Sequence, residues 1–284
     1  MFWGRCLRKV DMRDAMLKRK SIRTYKDEAV PQDLRQKIIN YASTVKAPFN
    51  TQMRFQIVDL NNTSPDIKLG TYGVIRGATT FICAITEKEC RMEENLGYAF
   101  ESIILYATSL CLGTCWLGGT FNKTEFAKAL NLSENECVPV ITPIGFPKEK
   151  RSILDTIMVA AAGSRNRKDW TELFFDKDFS KPLKKDEAGI FRECLEMVRV
   201  APSASNKQPW RIVKDKNNFH FFLCRNKLYG KILNFDIQKV DIGIAMCHFE
   251  LTARELGISG NWCDMNRSIP CSNNVEYIIS YVAL

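Results

Sequence analysis

The chain has 284 residues, a formal net charge of +9, 45% hydrophobic residues and 26% charged residues. These values are typical of a globular protein with one large domain or two closely joined domains. Lys and Arg are spread along the chain without a helix-turn-helix, zinc-binding or RNA-binding signature, so solvation or the attraction of anionic ligands explains the charge better than nucleic acid does.

Cysteine and histidine usage argues against two further classes. Only two histidines occur, and neither lies in a Cys/His cluster, which disfavours a zinc site and a Ser-His-Asp or Cys-His catalytic centre. His248 falls in an apolar helical pattern and is predicted to be structural. The eleven cysteines lie mostly in apolar segments, as buried reduced thiols do. Examples are Cys83, Cys111, Cys194 and Cys247.

One stretch, residues 102–122, has no charged side chain and is long enough to span a bilayer. Gly113, Gly118 and Gly119 interrupt its C-terminal part, so we predict a buried core helix that ends in a loop. The N-terminus lacks the apolar region of a signal peptide. We therefore expect a cytoplasmic protein that binds no membrane.

Hydrophobic periodicity predicts four helices and three strands between residues 11 and 144. Pro31 is suited to the first turn of the second helix. The predicted helices are 11–20, 31–47, 94–112 and 124–130, and the predicted strands are 55–58, 79–86 and 138–144.

After the basic segment 165–168 the pattern starts again. The predicted elements are helices 185–200 and 241–257 and strands 210–214, 219–224 and 275–282. Displacing residues 95–116 by 146 positions onto 241–262 aligns several identical residues. Shared helical composition accounts for some of these matches, but the order of all elements favours an internal duplication. The identical pairs are Gly97/Gly243, Ala99/Ala245, Leu105/Leu251, Ala107/Ala253, Leu110/Leu256 and Trp116/Trp262.

The segment 201–213, APSASNKQPWRIV, predicts a turn-rich loop that runs into a strand. Pro202 and Pro209 restrict φ, while Ser203 and Asn206 can bond to nearby backbone. Such a loop offers hydroxyl, amide and backbone N–H groups that suit a flat heterocycle with polar edges. The alternative is an ordinary connection between a helix and a strand.

Three motifs in one order resemble the nitroreductase family, whose members are FMN-dependent NAD(P)H oxidoreductases of α+β fold. APSASNKQPW is similar to the flavin-contacting loop of that family, and Arg19-x-Ser21-x-Arg23 to its N-terminal motif. The third is the apolar helix that runs into GTCWLGG at residues 113–119. Together they cover about residues 12–262, which is more specific than any one motif. The duplication resembles the single-chain "putative TM nitroreductase" type, with two nitroreductase-like halves.

Ordinary members of the family resemble symmetric homodimers, so the resemblance implies a pseudo-dimer within one chain, and we expect a monomer. The expected halves are residues 1–170 and 171–284. The first half keeps the arginine–serine motif, but its copy of the loop reads APFNTQMRF. The second half keeps APSASNKQPW, but residues 179–185 lack the arginine–serine pattern. We therefore predict one composite FMN pocket between the halves.

The resemblance assigns no catalytic side chain, because the flavin carries the chemistry. It implies that Arg19, Arg165 and Arg167 bind the phosphate, although each of these could instead be a solvated surface charge. Arg23 would stabilise negative charge on the reduced ring. Family members often have an acidic residue where Gly118 stands, so only its backbone N–H can be carried over. The implied cofactor-binding set is Arg19, Ser21, Arg23, Leu117, Gly118, Gly119, Arg165, Arg167, Pro202, Ser203 and Asn206.

The expected function is transfer of hydride from NADH or NADPH through FMN to a nitroaromatic, quinone or similar small acceptor in a ping-pong scheme. Which nicotinamide donor is used stays open. The alternatives are a non-catalytic flavin-binding or sensing module and a basic nucleic-acid binder without flavin, which the missing motifs disfavour.

Overall fold

The computed structural model describes residues 11–64, 66–148, 166–226, 233–265, 269–270 and 272–284. Within these ranges the α-helices are α1 (Met12–Lys18), α2 (Gln32–Thr44), α3 (Met92–Ser109), α4 (Lys123–Ala129), α5 (Trp170–Leu173), α6 (Arg192–Val200) and α7 (Ile237–Glu255). The strands are β1 (Met53–Asp59), β2 (Thr80–Glu87), β3 (Gly113–Thr114), β4 (Glu136–Cys137), β5 (Ile141–Gly145), β6 (Phe174–Asp176), β7 (Trp210–Asp215), β8 (Asn218–Cys224), β9 (Gly260–Cys263) and β10 (Val275–Ala283).

Helices α3 and α7 are buried on almost every side and pack against each other in the centre of the molecule. Their contact depends on Gly97 and Gly243. A Cβ on Gly97 would lie 2.9 Å from the carbonyl carbon of Val240, and a Cβ on Gly243 would lie 2.8 Å from that of Glu94. Only glycine permits such a close approach of two helix backbones. The two glycines are a pair that the 146-residue displacement aligns.

The described residues form two sheets of five strands each, and the two sheets share a four-strand topology. The first has the order β1-β2-β5-β3, with β4 also paired to β2, and the second has the order β6-β7-β8-β10-β9. All pairs are antiparallel except β6 with β7, where Phe174 lies opposite Ile212. The predicted α+β class and internal duplication are therefore confirmed.

The aligned tryptophans Trp116 and Trp262 make the same kind of contact in the two halves. Trp116 donates its indole N–H to Glu101 on α3 at 2.7 Å, and Trp262 donates to Glu250 on α7 at 2.6 Å. Each indole is thus tied to a carboxylate of the central helix in its own half.

Most predicted elements occur within a few residues of their expected bounds, but one helix is shorter. The segment predicted as helix 185–200 becomes α-helical only at Arg192 and is preceded by a 3₁₀ turn, Gly189–Phe191. Gly189 has φ +59°, a left-handed conformation that an α-helix cannot contain. The short strands β3, β4, β6 and β9 were not predicted.

The prediction of buried thiols is confirmed for three cysteines and wrong for one. Cys83, Cys194 and Cys247 are buried, and burial raises the pKa of the Cys194 thiol to about 12. Cys111 is exposed, because α3 ends at Ser109 and Cys111 lies in the following turn with φ +64°. Over the part of the chain that the structure describes, no helix combines the length and apolar character needed to cross a membrane.

Candidate functional site

The arginine–serine motif begins where α1 ends. Arg19 caps this helix by donating its N–H to the carbonyl of Ala15 at 2.8 Å. The chain then runs beside β3, where Ser21 pairs with Thr114 and the Ile22 N–H donates to the Thr114 carbonyl at 2.8 Å. Two of the three sequence motifs are therefore joined directly by backbone hydrogen bonds.

Arg19 is almost completely buried, with a side-chain exposure of 7%. Its Nε lies 3.9 Å from Glu101 Oε1, and among the described residues its Nη1 has no hydrogen-bond partner. A buried guanidinium nitrogen without an acceptor is costly, so this position fits an anionic ligand.

Glu101 connects the two halves through a buried network. Its Oε1 lies 2.9 Å from Nε2 of His248, whose Nδ1 lies 2.9 Å from the carbonyl of Met197. Because the Met197 carbonyl can only accept, Nδ1 of His248 must donate to it. The contact between Nε2 and Glu101 Oε1 then needs one further proton, held by either His248 or Glu101. His248 is fully buried in this network, as its apolar helical pattern predicts.

The predicted loop is held tightly and leads into β7. Ser203 Oγ accepts from the backbone N–H of Gln208 at 2.9 Å, and the Ser203 carbonyl accepts from the Asn206 N–H at 3.0 Å. Ser205, Asn206 and Gln208 have φ values of 45°, 56° and 47°. Non-glycine residues in this region store strain, which is frequent in ligand-binding loops.

Asp241 on α7 anchors this loop by accepting from the Ala204 N–H at 2.9 Å. Its Oδ2 is buried and has no hydrogen-bond partner within the described ranges. Burial raises the pKa of this carboxyl well above its usual range. Asn95 holds the corresponding place on α3 and accepts from the Phe49 N–H at 2.9 Å.

Arg167 is hydrogen-bonded to the loop and lies near enough to Arg19 for the two charges to interact. Its Nη1 donates to Asn206 Oδ1, and its Nη2 donates to the Val200 carbonyl at 3.0 Å. Burial lowers the pKa of Arg167 to about 10, and the positive charges of Arg19 and Arg199 lower it further. Arg19, Arg167 and Asn206, which come from three separate segments, are thus brought together. Arg165 lies outside the described residues.

The segment after β3 faces the second half. Leu117 is buried and exchanges two backbone hydrogen bonds of 3.0 Å with Ile141, so its N–H is already used. A Cβ on Gly118 would lie 3.5 Å from the side chains of Phe235 and Ile237, just before and at the start of α7. A Cβ on Gly119 would lie 3.1 Å from the side chain of Leu233.

The remaining predicted residues are partly accessible. Ser21, Arg23, Pro202 and Ser203 are half-buried. The carbonyl of Arg23 accepts from the Arg76 N–H at 2.9 Å, which fixes the end of the arginine–serine motif.

Two site residues were not found from the sequence. Glu101 and Asp241 are carboxylates inside otherwise apolar helical patterns, and such residues are seldom buried without a specific partner. That contrast between charge and surroundings is the signal that could have identified them.

The chain belongs to the family described as "Putative TM nitroreductase", whose model matches residues 11–253. Nitroreductases are oxidoreductases, so the family also defines the broad class of the protein. Among curated proteins, none matches the chain.

Several solved structures are similar to the chain, and the one that matches it over almost its whole length has the same fold. One from Thermotoga maritima MSB8, described as a "putative nitroreductase", is 20% identical with a TM-score of 0.62, and the match covers 99% of this chain and 98% of that chain. A nitroreductase family protein from Clostridium novyi NT is 26% identical with a TM-score of 0.39, covering 51% of this chain and 91% of its own. A nitroreductase with bound FMN from Bacteroides fragilis NCTC 9343 is 17% identical with a TM-score of 0.41, covering 51% and 92%.

Proposed function

We propose that this protein is an FMN-dependent NAD(P)H oxidoreductase that reduces a nitroaromatic, quinone or similar electrophile. The observation that carries the proposal is the group formed by Arg19, Arg167 and Asn206. Arg19 is buried with an unsatisfied donor, its charge acts on Arg167, and Arg167 is bonded to Asn206.

The chemistry of this group favours a phosphate. The buried guanidinium of Arg19 and the partly buried guanidinium of Arg167 repel each other. A dianion bound by both would remove that repulsion and accept the unused N–H of Arg19. Arginine is also the side chain best matched to phosphate geometry. The fully buried Glu101 offsets part of the positive charge but lies 3.9 Å from Arg19 Nε, beyond ordinary hydrogen-bond range.

The other residues would hold the ring and the ribityl chain. Ser21 would bond to the ribityl chain or the phosphate, and Pro202 and Ser203 would contact the isoalloxazine from the second half. Gly118 and Gly119 would allow close approach of backbone near N5. Arg23 would stabilise negative charge at the pyrimidine edge. FMN, when bound, supplies the ability to accept hydride from NAD(P)H and pass it to the acceptor.

We infer that the site is single and composite. The first half, residues 1–170, would supply Arg19, Ser21, Arg23, the 117–119 segment and the Arg165/Arg167 pair, and the second half, residues 171–284, would supply Pro202, Ser203 and Asn206. The halves would form a pseudo-dimer, which removes the need for a second subunit, so a monomer in the cytoplasm is the proposed form. Arg165 would act with Arg167 on the phosphate.

Fluorescence titration of FMN tests the proposal. Arg19→Ala and Asn206→Ala should each weaken FMN binding by about 10- to 100-fold. The first removes a charged donor to the phosphate, and the second removes the side chain that accepts the hydrogen bond from Arg167. Matched controls are Arg192→Ala and Asn40→Ala, both exposed on helices away from these contacts. An FMN affinity within about twofold of the parent protein for either site variant contradicts a composite site.

Anaerobic stopped-flow mixing with NADH and with NADPH tests turnover. Loss of the visible absorbance of bound FMN is the expected result, and the faster donor identifies the nicotinamide preference. Bound FMN that keeps its absorbance with both donors would support a flavin-binding module without oxidoreductase activity.

A further inference from the structure

A cavity of about 760 Å³ opens at the end of the 201–209 loop, beside Lys207 and Pro209. Four cationic side chains contribute to its wall, and no carboxylate of the described residues does. The cationic set is Lys168, Lys207, Arg211 and Arg225.

These four cations differ in how their charge is balanced. Arg225 is paired with Asp236 and Glu276, with the Glu276 contact at 2.7 Å. Within the described residues, Lys168, Lys207 and Arg211 make no ion pair within 4.0 Å. Among the residues that the structure describes, the Arg211 side chain donates only to the backbone carbonyls of Gln208 and Trp210. The cavity therefore has a surplus of positive charge.

Two of these three cations, Lys207 and Arg211, lie close enough to Lys168 for their charges to act on it. Burial lowers the pKa of Lys168, and the charges of Arg211 and Lys207 lower it further, with Glu172 partly opposing them. Burial also lowers the pKa of Arg211. Like charges held together in a concave, partly buried wall are stabilised when an anion binds.

This cavity is distinct from the Arg19 and Arg167 group, although the chain connects the two. Arg167 points to Asn206, while the next residue, Lys168, donates its backbone N–H to Gln208 and contributes to the cavity wall. The side chains of Asn274 and Cys224 supply polar but uncharged wall groups, and the Asn274 amide donates a hydrogen bond to the Cys224 sulfur at 3.6 Å.

We propose that this cavity is a second anion-binding site, which takes the phosphate or diphosphate group of a small-molecule ligand. The site itself does not depend on flavin chemistry. The phosphate or diphosphate group has two possible sources. One is the diphosphate of the nicotinamide donor, and this source rests on the proposed function. The other is a free phosphorylated metabolite.

Calorimetric titration of the FMN-saturated protein with inorganic diphosphate at low salt tests the site, because FMN then fills the first phosphate site. The double variant Lys168→Gln, Lys207→Gln should bind diphosphate about tenfold more weakly or worse, since two charge-assisted contacts are lost. Replacing both lysines by arginine should keep the affinity within about threefold, because the charges remain. The exposed Lys184→Gln is the control for a general change in net charge.

The outcomes separate this site from the proposed function. Diphosphate binding that is absent, or unchanged in Lys168→Gln, Lys207→Gln, overturns the second site, and so does loss of FMN binding in that variant. If no variant or parent protein binds FMN but diphosphate still binds and Arg19→Ala leaves it intact, the cavity stands and the flavin proposal fails. Competition by NAD⁺ or NADP⁺ against diphosphate identifies the donor as the source, and lack of competition by both identifies a free phosphorylated ligand.

Discussion

Gly97→Ala tests whether the two central helices must touch along their backbones. The new Cβ would approach the Val240 carbonyl carbon to 2.9 Å and the Gly243 Cα to 3.1 Å, with the carbonyl oxygen closer still. Both neighbours are backbone atoms, so no side chain can rotate away. The helices would have to separate by roughly 1 Å, which forfeits a substantial part of the dispersion attraction along their contact.

The expected cost follows from these contacts. Overpacking a close core contact costs about 1–3 kcal/mol and sometimes more, while alanine in place of glycine in a helix returns about 1 kcal/mol. Since both α3 and α7 are buried along their lengths, we expect a cost in the upper part of that range and a net loss of about 1–2 kcal/mol. For a chain of this size that lowers Tm by about 2–8 °C.

Thermal unfolding followed by circular dichroism measures the effect. Gly243→Ala should show a similar loss, because its Cβ would meet backbone atoms of Glu94 and Tyr98 at 2.8 Å. The matched control is Gly70→Ala, where a Cβ would meet nothing within 4 Å. A Tm for Gly97→Ala equal to that of Gly70→Ala would refute the close helix contact.

Two further predictions concern buried ionisable groups. Because burial raises the pKa of Asp241 above its usual value of 3.8, the folded state binds this proton more tightly than the unfolded state, and stability falls as pH rises from about 4 towards neutrality. In flavin-free protein, Asp241→Asn should therefore raise Tm near pH 7 by about 2–6 °C and have little effect near pH 3. Thermal melts at the two pH values measure the change in Tm, and an equal change at both pH values would contradict the argument. Iodoacetamide should alkylate the exposed thiols of the native protein and spare the buried ones, as peptide mass spectrometry can determine; rapid labelling of a buried thiol would contradict the packing. Among the described cysteines, the exposed set is Cys90, Cys111 and Cys263, and the buried set is Cys83, Cys115, Cys194 and Cys247.

Long apolar patterns made much of this fold predictable. The central helices were recognisable from their long apolar patterns, which agree with the burial of nearly every position in α3 and α7. The alignment of Gly97 with Gly243 pointed to the shared role of these two glycines. Strands such as β2 and β8 were recognisable from continuous β-branched and aromatic residues.

Other elements depend on contacts that are distant in the chain. The two-residue strand β3 exists because Gly113 and Thr114 pair with β5, and no local periodicity can reveal a pairing of that length. The left-handed backbone of Gly189, which delays α6, could not be distinguished from an ordinary helical glycine.

The candidate site was predictable as a set of motifs but not as a network. Arg19 and Asn206 were named from separate motifs, whereas the bond from Arg167 to Asn206 and the effect of Arg19 on Arg167 arise only in three dimensions. Glu101 was missed because its partner His248 lies 147 residues away in the chain.

The proton between Glu101 and His248 has a consequence for how this chain could have arisen and how it can be divided. A fragment ending near residue 170 would lose the imidazole of His248. The Glu101 carboxylate would then lie in an apolar cleft with the Trp116 indole and with the Arg19 guanidinium, whose Nε is 3.9 Å away. The complementary fragment would open the same cleft around His248. Severing the chain between its repeats should therefore give two insoluble pieces that recover structure only when they are combined.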